Sequence, residues 1–363
     1  MKNTFGNNVS VTIFGESHGN AIGAVLDGLS AGIDVDEDFI RHQLTLRRPV
    51  GQISTPRVET DKFEIVSGVF EGKTTGTPIC IVIPNENTRS KDYGENRFKM
   101  RPSHADFTAN QKYHGFEDFR GGGHFSGRIT TGLVAAGAIV ISALKSKGIS
   151  IGTHISRLGG IADKEFGDLE SEIALLNKSE FAVLDPEKAE KMKERILDAR
   201  SQTDSIGGVL ETAVTGLPAG VGEPWFDSVE GVLSHGLFSI PGIKGVEFGA
   251  GFSIADMLGS EANDQFKAQN GKIETTTNNN GGINGGITNG MPVIFRVAVK
   301  PTPTIAKPQE TVDIRDNSNC VLKSVGRHDP CIVHRARVVV DSVTALGLCD
   351  LLTARFGTDW WIS

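Results

Sequence analysis

The sequence predicts an α/β fold, and two observations lead to this prediction. The chain has 363 residues, which is long for one small domain and indicates two subdomains or one large α/β body. Short β-branched segments, the first at residues 9–14, are interspersed with longer apolar segments of helical character, above all residues 130–145. A hydrophobic content of 38% with 22% charged residues is typical of a soluble globular protein.

The N-terminal region begins with two predicted strands and a helix. Residues 9–14 are β-branched and apolar and end at a glycine, and residues 21–29 resemble a second strand paired back through the turn. Residues 34–46 have apolar positions at helical spacing, with Asp34 or Asp36 as the N-cap.

Two polar elements of this region are candidate sites. The sequence GESHG places Ser17 and His18 on a turn just after the first strand, where catalytic side chains often lie. Its polar flanks argue against a buried structural histidine. Arg47 and Arg48 precede Pro49, which favours an extended segment, and their guanidinium groups suit carboxylate and phosphate. A pair of solvated charges is the alternative for the two arginines.

The stretch 101–145 organises the chain. Three consecutive glycines lead into the apolar helix predicted at 130–145, which should be buried on most sides. Glycines let the backbone approach a ligand, and a helix N-terminus offers unpaired N–H donors, so this junction is a candidate anion site. His104, His124 and Arg128 add proton donors and cations. The alternative is a tight turn before a core helix.

Two nucleotide-binding motifs are absent from the sequence. Residues 67–74 (SGVFEGKT) invite comparison with the phosphate-binding P-loop, but the first required glycine is Ser67. Val69 and Phe70 favour a strand there instead. Because no G-x-G-x-x-G follows a predicted strand, a Rossmann dinucleotide site is also unsupported.

The remaining elements continue the α/β pattern. A helix at 186–199 has Asp185 as its N-cap and a proline at its first position. Residues 275–290 have little side-chain bulk, and we interpret them as an ordered loop, with a disordered linker as the alternative. The element order from residue 203 loosely echoes the first half, so we expect two similar halves, about 1–200 and 201–363. The other predictions are strands at 79–83, 149–158, 209–215, 291–299 and 332–340, helices at 226–237 and 342–352, and a turn and strand at 238–249.

The charge pattern favours a small anionic ligand. A formal net charge of −7 argues against nucleic acid as the main partner. Residues 41–128 nevertheless hold 14 Lys and Arg against 10 Asp and Glu. An acidic protein with a basic segment is what an enzyme for small anions would show, although a solvated basic face would give the same count.

The four cysteines carry no metal or disulfide pattern. They are widely spaced, with neither a CxxC pair nor the spacing of a structural zinc site, so no metal is expected. We find no signal peptide, and we expect no apolar run close to the roughly 18 residues of a membrane span. A cytoplasmic protein with reduced thiols is therefore expected, with no membrane partner.

Three motifs that lie far apart in the chain resemble one family closely, the chorismate synthases. They are GESHG with His18, RPSHAD with His104 and GRHDP with Asp329. The resemblance also includes Arg47-Arg48-Pro49, SGVFEGKTTGTP, the DSxGG block at 204–208, NGGINGGITNG and KPTPT. In combination these motifs are highly specific, whereas each alone would be weak.

The resemblance implies a fold and a reaction. The fold would be one domain over 1–363, a layered β-α-β sandwich of antiparallel sheets around central helices, assembled as a homotetramer. The reaction would be the 1,4-elimination of phosphate and the C6 hydrogen from 5-enolpyruvylshikimate 3-phosphate, giving chorismate in the last step of the shikimate pathway to aromatic amino acids. This carbon–oxygen lyase reaction requires reduced FMN without net redox change. Some members reduce their flavin with NADPH, but no added segment is obvious here, so an external reductant is expected.

The resemblance also assigns roles to individual residues. His18 would be the acid beside the departing phosphate, His104 would lie at the pyrimidine edge of the flavin, and Asp329 would act through flavin N5. The implied substrate-binding residues are Ser17, Arg47, Arg48, Arg101, Ser126, Arg128 and Arg327. The implied cofactor-binding residues are His124, Phe125, Ser126, Pro241, Gly242, Gly285, Lys300, Pro301, Thr302, Pro303, Thr304 and Arg327.

The sequence departs from the family pattern near these residues. After the glycines the family has Arg-Ser-Ser-Ala-Arg-Glu-Thr, whereas this chain has His124, Phe125 and Ile129 in place of an arginine, a serine and the glutamate. The segment after Pro49 is one residue shorter and lacks a basic residue. Ser103 replaces a usual glycine, and Asp341 stands where glutamate is usual. These changes could alter substrate affinity or flavin geometry.

Two alternatives remain for the function. One is a different FMN-dependent oxidoreductase with net electron transfer, for which steady NADPH oxidation would be the signal. The other is a non-catalytic relative that binds an anion or flavin without turnover, and it is motivated by the changes at His124, Phe125 and Ile129.

Overall fold

The computed structural model describes residues 2–55, 60–86, 97–269, 271–323 and 329–363. Two five-stranded antiparallel sheets and four two-stranded ones organise these residues. The strands are β1 (Thr4–Phe5), β2 (Ser10–Gly15), β3 (Ala21–Asp27), β4 (Glu64–Ser67), β5 (Val69–Phe70), β6 (Lys73–Thr74), β7 (Ile79–Pro84), β8 (Ser150–Leu158), β9 (Ile161–Ala162), β10 (Gly208–Thr215), β11 (Ile243–Phe248), β12 (Phe266–Gln269), β13 (Lys272–Thr275), β14 (Ile283–Asn284), β15 (Ile287–Thr288), β16 (Val293–Val299), β17 (Gln309–Asp313) and β18 (Ser318–Leu322).

The two large sheets come from different parts of the chain. The first has the order β1-β2-β3-β7-β4 and the second has the order β11-β16-β10-β8-β9. Because β8 precedes residue 200 yet pairs with β10, and β9 pairs with β8, the sheets divide the chain between Pro84 and Ser150. The division between the sheets does not coincide with the halves expected near residue 200, and the similarity of those halves stays a prediction.

Helices lie between the two large sheets and also on the outer faces of the sheets. They are α1 (Glu37–Arg47), α2 (Asp106–Tyr113), α3 (Thr130–Ser146), α4 (Leu169–Leu176), α5 (Pro186–Ser201), α6 (Val229–Ser239), α7 (Gly259–Ala262) and α8 (Val333–Phe356). Helix α3 packs on β3 and β7 of the first sheet, α8 packs on β8 and β10 of the second, and α3 and α8 pack on each other. The layered arrangement of antiparallel sheets around central helices is thus confirmed.

The prediction of a strand at 332–340 is wrong, because these residues begin helix α8. The β-branched run Val338–Val340 favours a strand by intrinsic propensity. Almost every residue from Val333 to Thr353 is buried, so the helix lacks the polar face that would reveal a helical period. Packing between the two sheets overrides the local preference.

Most other predicted elements are confirmed to within a few residues. Asp36 and Asp185 accept hydrogen bonds from backbone N–H groups of α1 and α5, as N-caps do. The helix of 226–237 begins later, at Val229, after a short 3-10 helix. Helices α2 and α4 were not predicted, since both are short and carry few apolar residues at helical spacing.

Three local predictions need comment. Residues 67–74 form part of β4 and the β5–β6 hairpin, in agreement with the rejection of a P-loop. Residues 275–290 have defined structure that includes β14 and β15, so they are an ordered loop. Arg47 is the last residue of α1, so the expected extended segment begins only at Arg48.

One helix is longer and more apolar than expected, since no apolar run close to the length of a membrane span was predicted. Residues Gly127–Ser146 are long and apolar enough to cross a membrane by length and composition. Yet 78% of the most apolar window is buried inside the protein. The helix is therefore explained by its place between the sheets, where both faces need apolar side chains.

Candidate active site

A cavity of about 760 Å³ lies where the predicted site residues converge. One wall comes from the end of α1 and the segment between α2 and α3. The other comes from the residues after α6, the residues after β16 and the approach to α8. This volume is in the range of pockets for small molecules and cofactors, roughly 300–1,000 Å³.

Two of the three consecutive glycines, Gly121 to Gly123, pack against histidines. All three have positive φ angles, 60°, 85° and 52°. A Cβ atom on Gly121 would lie 2.2 Å from Cε1 of His18, and one on Gly122 would lie 3.3 Å from Cε1 of His104. The run lies within a 3-10 segment, Arg120–Phe125, and a second one, Gly127–Ile129, separates it from α3, so it does not lead directly into the helix. The glycines therefore make room for the imidazole rings.

The GESHG turn is joined to this run by the backbone. The N–H of Ser17 donates to the carbonyl oxygen of Gly123 at 3.0 Å. His18 is only 8% exposed, although its polar flanks argued against burial. The hydroxyl of Ser17 is buried and has no hydrogen-bond partner among the described residues. The turn thus presents a hydroxyl and an imidazole beside Gly121, which lines the cavity.

His104 belongs to a three-residue cluster. Its Nδ1 lies 2.7 Å from Oδ1 of Asp106. The same carboxylate accepts from Nε and Nη2 of Arg101, both at 2.7 Å. Burial raises the pKa of Asp106, but the hydrogen bonds from His104 and Arg101 outweigh it and hold this pKa well below its usual range. Asp106 ends the RPSHAD motif but was not among the predicted site residues.

Two buried arginines, Arg47 and Arg128, form another part of the first wall. Arg128 forms an ion pair with Asp61 and donates to Oδ1 of Asn85 at 3.0 Å. Arg47 donates from Nε to Oγ1 of Thr130 at 3.0 Å. Both arginines line the cavity. Asp61 and Asn85 were missed, and no motif in the sequence distinguishes them.

Arg48 also approaches this cluster, but from outside the cavity. Its Nε is 3.8 Å from Oδ2 of Asp61, and its side chain is 34% exposed. Arg48 is not among the cavity-lining residues. One buried carboxylate therefore faces two of the predicted substrate-binding arginines.

The three residues after the glycines all line the cavity. Nδ1 of His124 is 2.8 Å from the carbonyl oxygen of Gly15, which ties it to the GESHG turn. Phe125 is 36% exposed and contacts the ring of Tyr113 edge-on. Ser126 accepts from the N–H of Arg128 and so caps the 3-10 turn. The departures at His124 and Phe125 thus lie on the cavity surface, whereas that at Asp341 lies within α8.

The second wall is built from two adjacent segments. The N–H of Lys300 donates to the carbonyl oxygen of Gly242 at 2.9 Å, which joins 241–242 to 300–304. Nζ of Lys300 donates to the carbonyl oxygen of Ser103 at 2.5 Å, and burial together with nearby Lys244 lowers the pKa of Lys300. The buried Oγ1 of Thr302 has no partner among the described residues. Pro241, Pro301, Pro303 and Thr304 complete this part of the lining.

The DSxGG block supports this wall from behind. Asp204 pairs with Lys307 at 2.7 Å, and Oγ of Ser205 donates to the carbonyl oxygen of Thr302 at 2.7 Å. A Cβ atom on Gly207 would lie 2.4 Å from the carbonyl oxygen of Val299, so only glycine allows this approach. The block therefore positions the 300–304 segment and contributes no side chain to the cavity lining.

Asp329 lies at the end of the cavity that approaches α8. It is 8% exposed, and Nη1 of Arg335 is 3.4 Å from its Oδ2. Burial raises the pKa of the Asp329 carboxyl. This rise is opposed by Arg335 and by the backbone N–H groups of Cys331 and Thr55. A carboxyl group in this environment can hold a proton at higher pH than an exposed one.

Ser17 and His18, like Arg48, are not among the cavity-lining residues, and two further predicted residues are not placed there. Gly285 lies at the exposed turn between β14 and β15 and does not line it. Arg327 lies outside the described residues, so the structure says nothing about it. The described residues contain no cluster of His, Cys, Asp and Glu that could hold a metal ion.

The cavity suits a planar, partly polar ligand that carries anionic groups. Apolar side chains of Leu133, Ile240, Ile243 and Ile332 line part of it. Cations and hydroxyls occupy both ends, and the buried Oγ1 of Thr302 needs a partner that a ligand could provide. This combination of apolar surface and converging polar groups is typical of cofactor and substrate sites.

Comparison with known proteins identifies relatives of the whole chain. A family model described as chorismate synthase matches residues 9–353. A chorismate synthase of Dehalococcoides mccartyi is 46% identical over 354 residues, which cover 97% of this chain and 96% of the relative. One of Aeropyrum pernix is 44% identical over 355 residues, covering 98% and 93%. A solved crystal structure of chorismate synthase has a TM-score of 0.75 and 31% identity, and the match covers 98% of this chain and 94% of that one.

Proposed function

The chain belongs to the chorismate synthase family, and on this premise we propose that it eliminates phosphate and the C6 hydrogen from 5-enolpyruvylshikimate 3-phosphate. The products would be chorismate and inorganic phosphate, formed with reduced FMN and without net redox change. This would be the last step of the shikimate pathway to aromatic amino acids, catalysed by a carbon–oxygen lyase. The observation that carries the proposal is that residues from three distant motifs meet around one cavity.

The charge of the substrate matches the cations of the cavity. The substrate carries one phosphate and two carboxylates, which need several positive partners. Arg47, Arg101 and Arg128 line the cavity, and each is held by hydrogen bonds to protein groups. Guanidinium groups held in this way bind carboxylate and phosphate with little further loss of side-chain freedom.

We assign proton transfer to three side chains of this chain. His18, beside Gly121 and Ser17, would donate a proton to the departing phosphate. His104 would stabilise charge on the bound ring through Nε2, since Nδ1 faces Asp106. Asp329, whose pKa is raised by burial, would accept and release the proton that follows loss of the C6 hydrogen.

Reduced FMN fits the properties of the second wall. The Lys300 ammonium and the hydroxyls of Thr302 and Thr304 would hold its phosphate or polar ring edge, and the partnerless Oγ1 of Thr302 supports this assignment. When bound, the reduced flavin would supply electron density that helps to expel phosphate. His124, Phe125, Ser126, Pro241 and Gly242 would contact it.

The setting of the enzyme is also a proposal. We infer a cytoplasmic homotetramer that receives reduced flavin from an external reductant. Exposed aromatic side chains support further assembly: Trp225, Phe226 and Phe252 are 86%, 93% and 86% exposed. Sedimentation velocity of the purified chain would test this, and a monomer at micromolar concentration would contradict it.

The test of the function is anaerobic turnover. The purified protein would be mixed with chemically reduced FMN and 5-enolpyruvylshikimate 3-phosphate, and chorismate and phosphate would be followed, with oxidised FMN as control. We expect equimolar products only with reduced FMN, over many turnovers per flavin. Binding of both ligands without product would favour the non-catalytic relative, and steady NADPH oxidation would favour a different oxidoreductase.

A further inference from the structure

We propose that Asp106 is a positioning residue for the reaction, which sets the tautomer of His104 and the orientation of Arg101 at the same time. This inference rests on the proposed function, because His104 and Arg101 matter only if the cavity binds the substrate and flavin. Asp106 is not one of the residues that line this cavity. It would therefore act through its two neighbours.

The contact with His104 determines which ring nitrogen carries the proton. An ionised carboxylate accepts hydrogen bonds and cannot donate them. With Oδ1 of Asp106 at 2.7 Å, Nδ1 of His104 must carry hydrogen. In the neutral imidazole the lone pair then resides on Nε2, a ring atom that lies beside Gly122, and His104 itself lines the cavity. The nitrogen that can exchange a proton with a ligand is thus selected by Asp106.

The contact with Arg101 determines which part of the guanidinium group remains for the substrate. Asp106 receives Nε and Nη2 at 2.7 Å each, and it also receives the backbone N–H of Arg101 at 3.1 Å. Nη1 is left near Oγ1 of Thr304, at 3.5 Å, on the cavity side. A bidentate pair of this kind fixes the plane of the guanidinium group. The pKa of Asp106 lies well below its usual range, so the carboxylate stays charged under working conditions.

A purely structural role is the main competing explanation. Asp106 is the first residue of α2, and carboxylates stabilise helix N-termini. A variant that only weakened α2 would change stability and activity without reversing a tautomer. The experiment must therefore measure the ring of His104 directly.

The first arm of the experiment uses no substrate. The ¹⁵N signals of labelled histidine would be recorded at pH 8 for the wild-type protein and for Asp106→Asn, with His104 assigned by its absence in His104→Ala. We expect the Nδ1–H tautomer in the wild type. In the variant, the amide oxygen would take the place of Oδ2, which accepts from both Nε and the backbone N–H of Arg101. The amide NH₂ would then take the place of Oδ1, face Nδ1 of His104 and favour the Nε2–H tautomer. An Nε2–H tautomer in the wild type, or an unchanged one in the variant, would overturn the proposal.

The second arm measures turnover. Asp106→Asn should lower kcat by about 10²-fold, the lower end of what a positioned acid–base group contributes. It should also raise KM, because Arg101 loses its fixed plane. In a His104→Ala background the same change should no longer lower kcat, but KM should still rise. A full further loss of kcat there would show that Asp106 does not act through His104.

Two controls complete the design. Asp313→Asn removes a carboxylate that holds Arg315 in the same bidentate way outside the cavity, so it should leave the tautomer and kcat unchanged. If Asp106→Asn does not fold, Asp106→Glu keeps the charge, and it should retain the Nδ1–H tautomer. Absence of chorismate synthesis by the wild-type protein would contradict the proposed function. The NMR result would still decide whether Asp106 sets the tautomer of His104.

Discussion

At the scale of single residues, the site depends on two imidazoles packed against a backbone without side chains. Gly121 and Gly122 allow His18 and His104 to approach from different parts of the chain. Both rings would be displaced by a larger residue, because the φ angles are positive and the space is occupied. His104 thereby lines the cavity, and His18 lies behind Gly121, which lines it. The chemistry of this site therefore depends on which ring atom of each histidine remains available to a ligand after the protein contacts are made.

The role of His18 can be tested by removing its imidazole. His18→Ala should lower turnover by about 10²- to 10⁴-fold, because the departing phosphate loses its proton donor. FMN affinity should be retained, because His18 is assigned to the substrate side. Stopped-flow turnover and flavin fluorescence titration would measure the two quantities. His42→Ala, which removes an exposed ring in contact with the Asn177 carbonyl, is the control. Normal turnover of His18→Ala would contradict the assignment.

At the scale of elements, the central layer depends on close contact between α3 and α8. A Cβ atom on Gly137 would lie 2.4 Å from Cβ of Ser342, so the two helices meet at a glycine. Both helices are buried on nearly all faces because each packs on a sheet and on the other helix. The first helix was predicted from its alanine-rich apolar run. The start of the second was mistaken for a strand because its β-branched residues are buried on every side.

Substitution at this helix contact should reduce stability. Intrinsic helix propensity favours Ala over Gly by roughly 1 kcal/mol. The added methyl of Gly137→Ala has no room, however. Such overpacking costs about 1–3 kcal/mol of stability, which outweighs the gain in propensity. Urea unfolding would measure the change. Gly259→Ala, in α7 with no atom within 4 Å of the added Cβ, should be neutral or slightly stabilising. Equal stability of the two variants would show that α3 and α8 can separate without cost.

At the scale of the whole molecule, buried ionisable groups tie the layers together. Nε2 of His334 on α8 is 2.7 Å from Oγ of Ser54, which follows the 3-10 turn after α1. Burial, with a smaller contribution from Arg335, lowers the pKa of His334 to about 3. The imidazole is therefore neutral in the folded protein at ordinary pH. Unfolding would release it to a pKa of about 6.5.

This burial predicts acid sensitivity of the whole fold. The unfolded chain binds a proton at His334 between pH 6.5 and 3, and the folded chain does not, so stability falls as pH falls through this window. The full effect is on the order of a few kcal/mol, at about 1.4 kcal/mol for each pH unit. His334→Gln should flatten this part of the profile, measured by urea unfolding from pH 7 to pH 4. A variant with the same slope as the wild type would remove His334 as the cause.

Local sequence determined much of this protein. Caps, turns and apolar runs placed most strands and helices, because these signals act between residues close together in the chain. Three histidine- and aspartate-bearing motifs, read together with the other family motifs, also indicated the family and many of the cavity-lining residues.

Only the tertiary structure decided which partners hold those residues. Asp61 has no distinguishing local signal, and the motif that contains Asp106 does not show that it contacts both His104 and Arg101, yet each carboxylate positions side chains of the site. Helix α8 and the glycine–histidine contacts likewise depend on residues distant in sequence. Burial and charge pairing arise when distant segments pack together, so no local pattern of residues can specify them.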